Sequence, residues 1–410
     1  MKKPLTHKDL EFYLLGSTLL STGGGGIAPS EKRFHASLEK LSEEKKPLIL
    51  IDSSDLPPDS FIFEHSGVGG GIQAEIRKKY PLTPGSDPYY ERWVTGFNGQ
   101  EWINKMIDRH SETFPLSYWS RRPWEYKDFT LDSYFSDTMG IRPYANVIGE
   151  IGPNGFYEII NCAEKGLPIV DGDLAGHRAV PELSLSTLNV HEINPGTVVF
   201  LSAWGDLIRI ERTLDYQRLE DIARHLAISS GGAIGGIHAI SSGDLSKAVV
   251  PGSISRAVEI GKSISLYQRK NDGLDIITKA TGGNIIFEGR VDNFIRETRD
   301  SFHIGDIFVT GTGDYLNKEL RIWFKNENHI SWLNGTPYVC SPDLICVVDR
   351  DTGSGIPNAL EREWYSGRDV YVIGIPAWKM WYTPRGLRIF NPRHFGFDIE
   401  FKPIKDLVSR

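Results

Sequence analysis

From residue 284 onward the apolar residues stop recurring at helical spacing and fall into short runs and alternations. Residues 284–291, 306–310, 319–324, 344–349, 370–375 and 386–390 all read as strands. Upstream the pattern differs. Leu10, Tyr13, Leu14 and Leu20 recur near helical spacing up to Ser21-Thr22-Gly23-Gly24-Gly25-Gly26, and Ser30 is placed to cap a second helix reaching about Glu44. Residues 48–51 and 61–63 follow as short apolar strands, with further strands expected over 196–201 and 207–210 and helices over 219–226 and 254–266. Helices alternating with strands early, and strands prevailing late, fit few layered architectures. The expected fold class is an α/β N-terminal domain, residues 1–166, joined to a larger β-rich α+β C-terminal domain, residues 167–410.

At 410 residues the chain exceeds what one core usually holds, which is why more than one domain is expected. A net charge of -7 offers no attraction to nucleic acid, and no apolar run approaches the roughly 20 residues that span a bilayer. Residues 5–11 are amphipathic and do not form an apolar signal core, so a cytoplasmic location is expected. Of the three cysteines, Cys162 falls in a helix and Cys340 and Cys346 at the two ends of one strand; all three read as small buried apolar side chains.

Three glycine-rich stretches invite different readings. Gly67-Val68-Gly69-Gly70-Gly71 follows a strand and precedes a helical pattern over 72–79, but Ile72 stands where a dinucleotide fingerprint needs its third glycine, so no nucleotide cofactor is expected. Gly23–Gly26 follows a helix and lacks the Gly-Lys-Ser/Thr of a P-loop. It is either a helix C-cap with a turn, or a loop whose backbone N–H groups meet a small ligand, with Gly24, Gly25 and Gly26 as binding residues. The stretch 229–236 reads as a site of close backbone packing. Between residues 80 and 135 lie 14 of the 45 aromatic residues, an insertion that suits a lid, an oligomer interface or plain core; Arg121 and Arg122 beside Trp119 and Trp124 can stack and recognise carboxylates.

The ionisable residues concentrate at the end of an apolar run. Residues 166–170 read as a buried strand, and Asp171, Asp173, His177, Arg178 and Glu182 follow at its C-terminal end, the edge where α/β folds hold ligands. The plainer alternative is an Asp-Gly-Asp turn with structural ion pairs.

Several motifs together resemble the S-methyl thiohydantoin desulfurase domain family, whose members are often encoded beside hydantoinase or oxoprolinase homologues. These are Ser21-Thr22-Gly23-Gly24-Gly25-Gly26, Gly166-Leu167-Pro168-Ile169-Val170-Asp171-Gly172-Asp173 with Arg178-Ala179-Val180-Pro181-Glu182, and Phe324-Lys325-Asn326-Glu327-Asn328. Ser341-Pro342-Asp343-Leu344-Ile345 with Asp351-Thr352-Gly353, and Asn391-Pro392-Arg393-His394-Phe395-Gly396-Phe397, extend the likeness over most of the chain. The family pattern runs Asp-x-Asp-x-x-Gly-Arg-Ala-x-Pro-Glu, whereas here His177 stands between Gly176 and Arg178. The resemblance implies hydrolysis: water replaces methanethiol at the ring carbon between two nitrogens and leaves a hydantoin.

For that reaction Asp171 and Asp173, two apart in an extended segment, can share a face and divide into base and acid, with Glu182 beside them. Arg178 suits a substrate carboxylate through its planar fork, or forms a structural pair with Glu182. Asn326 and Glu327 suit the amide-like edge of a ring, or simply end a strand. Should a divalent metal such as zinc take part, Asp171, Asp173 and His177 are its ligands, with His191 and Glu192 downstream. The expected partners are a small-molecule ring substrate and a second copy of the chain, with no nucleic acid and no membrane. A non-catalytic ring-binding or partner subunit of a hydantoinase-type enzyme is the alternative function.

Overall fold

The structure, a computed structural model, describes residues 2–70, 130–202, 206–270 and 273–408. The helix expected over 72–79, Arg121, Arg122 and most of the aromatic insertion near 80–135 lie outside the described residues.

The N-terminal region is α/β and the larger C-terminal region is β-rich, as the change of hydrophobic period implies. The first sheet contains β1 (Lys3–Pro4), β2 (Ile49–Ile51), β3 (Phe61–Gly69), β4 (Pro143–Ile148) and β5 (Ile169–Val170). Beyond the short β6 (Gly172–Asp173), it adds β7 (Val198–Ser202), β8 (Leu207–Ile210) and β9 (Ala233–Ser241), in the order β1-β2-β5-β4-β3-β9-β7-β8. Its β2, β5, β4 and β3 are parallel neighbours, while β9, β7 and β8 continue antiparallel. The helix Gly155–Lys165 makes the crossover from β4 to β5 and buries Phe156, Ile159 and Ile160 at the i, i+3, i+4 spacing of one helical face. β6 pairs with β10 (Val250–Pro251) in a separate ribbon.

Three details depart from the expected pattern. The division at residue 166 falls inside the first sheet, whose strands run on to Ser241. The Gly67–Gly71 stretch is no turn at its start, because β3 runs through Gly69 and pairs with β9 along its whole length. The 229–236 stretch leads into β9, a central strand. Its glycine supplies the expected close approach, since a Cβ on Gly236 would lie 2.7 Å from Phe200 Cε1.

The second sheet comprises β11 (Asn284–Arg299), β12 (Phe302–Gly311), β13 (Glu319–Lys325), β14 (Glu327–Leu333), β15 (Thr336–Cys340), β16 (Leu344–Asp349) and β17 (Asp369–Ile375). They run antiparallel in the order β15-β14-β13-β12-β11-β17-β16. In β13 the period-2 alternation is plain: Leu320, Ile322 and Phe324 are buried while Glu319 and Arg321 face solvent. The cysteines are free and buried, but Cys340 closes β15 and Cys346 lies inside β16, so they belong to two strands, not one. Residues 386–390 are not a strand. Thr383 caps a helix there, Pro384–Ile389, with proline in its first turn where a missing N–H costs nothing.

The two sheets are joined by the helices His7–Leu20 and Ser253–Lys270. These cross closely because Gly16 and Gly261 have no side chain: a Cβ would sit 1.9 Å from Ala257 O in the first case and 1.8 Å from Phe12 O in the second. One of the apolar clusters spans both sheets. It includes Leu10 and Leu20 of the first helix, Ile254 and Ile264 of the second, Ile148 and Ile160 beside the first sheet, and Leu344 and Ile373 of the second sheet.

Candidate active site at the glycine loop

The helix His7–Leu20 delivers its C-terminal end to the seam between the sheets, and there the chain turns through Thr22, Gly23, Gly25 and Gly26, all at positive φ. The loop is pinned on three sides. Asn328 N–H donates to Thr22 O (2.8 Å), Asn358 N–H to Gly23 O (2.7 Å) and Asn154 N–H to Gly25 O (3.1 Å). Gly25 N–H donates to Glu327 Oε1 at 3.1 Å. Gly24 has a steric requirement of its own, because a Cβ would lie 1.8 Å from that same Glu327 oxygen. One backbone N–H of the loop is thus taken by a carboxylate of the protein itself.

Around Glu327 the chain leaves hydrogen-bonding capacity unused. Thr22 Oγ1, Arg178 Nη2, Glu327 Oε2 and Asn358 Oδ1 are buried and have no partner among the described residues. Buried polar atoms are nearly always paired, so four such atoms close in the fold mark a place built to receive polar groups. Arg178 is 0 % exposed. Its Nε–H donates to Ala179 O (3.0 Å) and its Nη1–H to Pro342 O (2.6 Å), while its guanidinium lies 4.7 Å from the centre of the Phe390 ring. Burial pulls the guanidinium down to about 10, against the nearby Glu327, so it stays cationic at neutral pH.

Glu150 completes the arrangement from the loop after β4. Its Oε2 accepts from Val180 N–H (2.8 Å) and its Oε1 from the Asn154 side chain (3.1 Å). Burial first, and the Asp173 and Glu64 charges second, push its carboxyl up to about 7 against those two hydrogen bonds. Glu327 is pushed well above the usual carboxylate range by burial and by Glu150, with Arg178 opposing. The Glu150 charge thus adds to the burial that favours the protonated form of Glu327, while Glu150 itself is only half-buried.

The acidic motif sits beside this pair but is tied to other elements. Asp171 accepts from Ser255 N–H (3.0 Å) and Ser255 Oγ–H (2.6 Å), at the start of the helix Ser253–Lys270, as an N-terminal capping carboxylate does. Asp173 accepts from Ser253 Oγ (2.7 Å), Ala175 N–H (3.0 Å) and His177 N–H (3.1 Å); burial nonetheless lifts it to about 6. Glu182 does not pair with Arg178. It bonds Lys325 Nζ, His394 Nε2 (3.0 Å) and Ser184 Oγ (3.1 Å), and these partners, against burial, hold it well below the usual carboxylate range.

Asn326 sits at φ +59 where β13 turns into β14, and its Oδ1 accepts from His303 N–H (2.9 Å), which fits the strand-ending turn. The His177 ring turns away from the aspartates and meets Trp378 edge-on, and His191 ends the helix Thr187–Val190. Among the described residues no three His, Cys, Asp or Glu side chains come together as a metal-binding group. Every carboxylate oxygen of Asp171 and Asp173 accepts a hydrogen bond from the chain itself.

Comparison with known proteins decides the family. Residues 132–212 match the S-Me-THD-like N-terminal domain and residues 214–404 the S-Me-THD-like C-terminal domain. The chain belongs to the S-Me-THD-like family. The two family domains meet near residue 213, and the candidate site of this S-Me-THD-like protein draws on both: Glu150 and Arg178 from one, Glu327 and Asn358 from the other. A crystal structure of a protein from Chromobacterium violaceum is similar over 98% of this chain and 100% of its own, with a TM-score of 0.67 and 16% identity, a likeness of fold. No curated protein matches the chain. No helix among the described residues is long and apolar enough to cross a membrane.

Glu150, Asn154 and Asn358 belong to the candidate site but do not stand out in the sequence. No period or spacing singles them out: Glu150 stands in Gly149-Glu150-Ile151-Gly152-Pro153-Asn154, which reads only as a turn. It meets the glycine loop only once helix and sheet have packed.

Proposed function

We propose that this chain is a hydrolase that releases a thiol from an S-methyl thiohydantoin or a related hydantoin-like five-membered ring, with Glu150 and Glu327 as its acid–base pair. The supporting observation is the buried Glu327 beside Arg178 and Glu150, with unpartnered Oε2 and Nη2 atoms at a loop of bare backbone. Membership of the S-Me-THD-like family supports the substrate class.

Glu150, ionised, takes a proton from water as the water oxygen bonds to the ring carbon that carries sulfur. Glu327, protonated, gives its proton to the adjacent ring nitrogen. The C–S bond then breaks as the carbon becomes a carbonyl. The new hydroxyl returns its proton to Glu327, and methanethiolate leaves with the proton held by Glu150. Water and the S-methyl ring are consumed; methanethiol and the hydantoin are formed. Arg178 Nη2 donates to the ring carbonyl oxygen, a contact its fixed fork can make without reorganisation. Asp171 and Asp173, expected from the sequence as base and acid, act here as positioning residues that fix the segment 171–178 against the helix Ser253–Lys270.

The test is methanethiol release from S-methyl thiohydantoin propionate, followed with a thiol colour reagent. Glu327→Gln keeps the acceptor for Gly25 N–H but cannot supply a proton, so turnover should fall about 10²- to 10⁴-fold with little change in melting temperature. Glu150→Gln should fall similarly. Wild-type rates in both variants would remove the acid–base pair, and no thiol from the wild type would favour ring binding without turnover.

A further inference from the structure

A concavity lies beside the segment that carries Arg178. It is a cleft of about 240 Å³ whose lining includes Leu20, Gly176, His177, Arg256, Ala377 and Trp378. None of the described residues lining it is acidic. The chain alternates here: Arg178 turns toward Glu327 and Pro342 O, whereas His177, one residue earlier, turns into the cleft.

Its polar groups are placed for an anion. Arg256 Nη2–H donates to Thr281 O at 2.7 Å, which fixes the guanidinium plane, while Nε has no partner among the described residues. His177 is 8 % exposed, and its Nδ1 is likewise buried without a partner among them. Burial and the Arg256 charge hold the imidazole at about 3, so it is neutral at physiological pH and can donate from an Nδ1–H tautomer without adding a charge. Trp378 stands edge-on to His177 with ring centres 5.0 Å apart, and Lys379 Nζ lies 5.5 Å from the centre of the Trp378 ring. The one described carboxylate whose charge reaches Arg256 is Asp173, and its oxygens already accept from Ser253, Ala175 and His177. Arg256 therefore lines the cleft with a guanidinium uncommitted to a carboxylate among the described residues.

We propose that the cleft formed by His177, Arg256 and Trp378 is a binding site for a small planar carboxylate, separate from the glycine-loop site. The carboxylate accepts from the Arg256 guanidinium, beside the uncharged His177 ring, and the planar body lies against the Trp378 ring and the apolar wall of Leu20 and Ala377. A volume of about 240 Å³ limits the ligand to the size of a single ring with its carboxylate. The proposal does not depend on turnover at the glycine loop.

Benzoate is a suitable probe and benzamide its uncharged counterpart, both titrated calorimetrically into the full chain. Benzoate should bind at least about tenfold more tightly than benzamide. Arg256→Gln and Trp378→Ala should each weaken benzoate at least about tenfold, and Glu327→Gln should leave it unchanged. Because Arg256 also holds Thr281 O, Arg256→Lys is the companion variant: it keeps the charge but loses the fork, and a folded Arg256→Lys protein with weakened benzoate binding supports the site. Equal binding of benzamide, wild-type affinity in Arg256→Gln, no benzoate binding at millimolar concentration, or loss in Glu327→Gln would each overturn it. The last result would put the carboxylate in the glycine-loop site.

Discussion

Glu150 makes the pH behaviour of the site testable. Its ordinary value is about 4.5 and the fold raises it to about 7. The proposed base acts only when ionised, so on that proposal kcat/KM should rise with pH and level off above about 7, and Glu150→Gln should lose that limb. The same shift has an opposite consequence for stability. A carboxyl group whose folded value exceeds its unfolded value favours folding below about 4.5, and that advantage is lost as pH rises through 7. At about pH 8 Glu150→Gln should therefore melt higher than the wild type while turning over more slowly; a lower melting temperature would contradict the burial of the charged form. Gly24 offers a second test at this scale. Its Cβ would collide with Glu327 Oε1, so Gly24→Ala should displace the carboxylate and cost activity as Glu327→Gln does, while far-ultraviolet circular dichroism stays native.

Between elements, His65 of β3 clamps two helices to the first sheet. Its ring hydrogen-bonds Glu158 at 3.0 Å and forms an ion pair with Asp132 at 3.2 Å, and Lys165 Nζ pairs with Asp132 at 2.6 Å. Burial opposes the imidazolium, but the two carboxylates prevail and raise His65 to about 10, while Asp132 and Glu158 are held below their ordinary values. The clamp's contribution from His65 is complete below about pH 6.5 and disappears as pH rises through 10; that from the two acids is complete above about 4.5 and is lost as acid protonates them. Melting temperature should fall between about pH 7 and 10.5 in the wild type and fall less in His65→Gln. Parallel curves would mean that His65 is not charged in the fold. Elements of this kind differ in how legible they are. The helix His7–Leu20, Ser30 as a cap, and β16 over Leu344–Asp349 can be read because period and capping residues are local. The helix Pro384–Ile389 defeats the strand reading although Thr383 and Pro384 announce a helix start, because a short apolar run carries no period. Asp173, Arg178 and Glu327 stand out in the sequence as ionisable residues of its motifs. Their partners do not, since Glu327 and Gly25 meet across 302 positions of sequence.

For the whole molecule the decisive feature is that one core serves both sheets. Leu10, Ile148, Ile254, Leu344 and Ile373 belong to a single apolar cluster, so loss of that packing in one region exposes apolar surface of the other. Calorimetry should give one melting transition, although family domains meet near residue 213. The helix crossing at Gly16 and Gly261 is the place to perturb it. Gly16→Ala puts a Cβ where Ala257 O now lies, and backbone cannot step aside as a flexible side chain can. The forced separation should cost about 1–3 kcal/mol, typical of overpacking, and lower that one transition. The helix His7–Leu20 also delivers the glycine loop to Glu327, so the same substitution should lower turnover at temperatures where the protein remains folded. A variant that melts in two steps, or that melts early yet keeps full turnover, would show that the crossing does not couple the regions or set the loop.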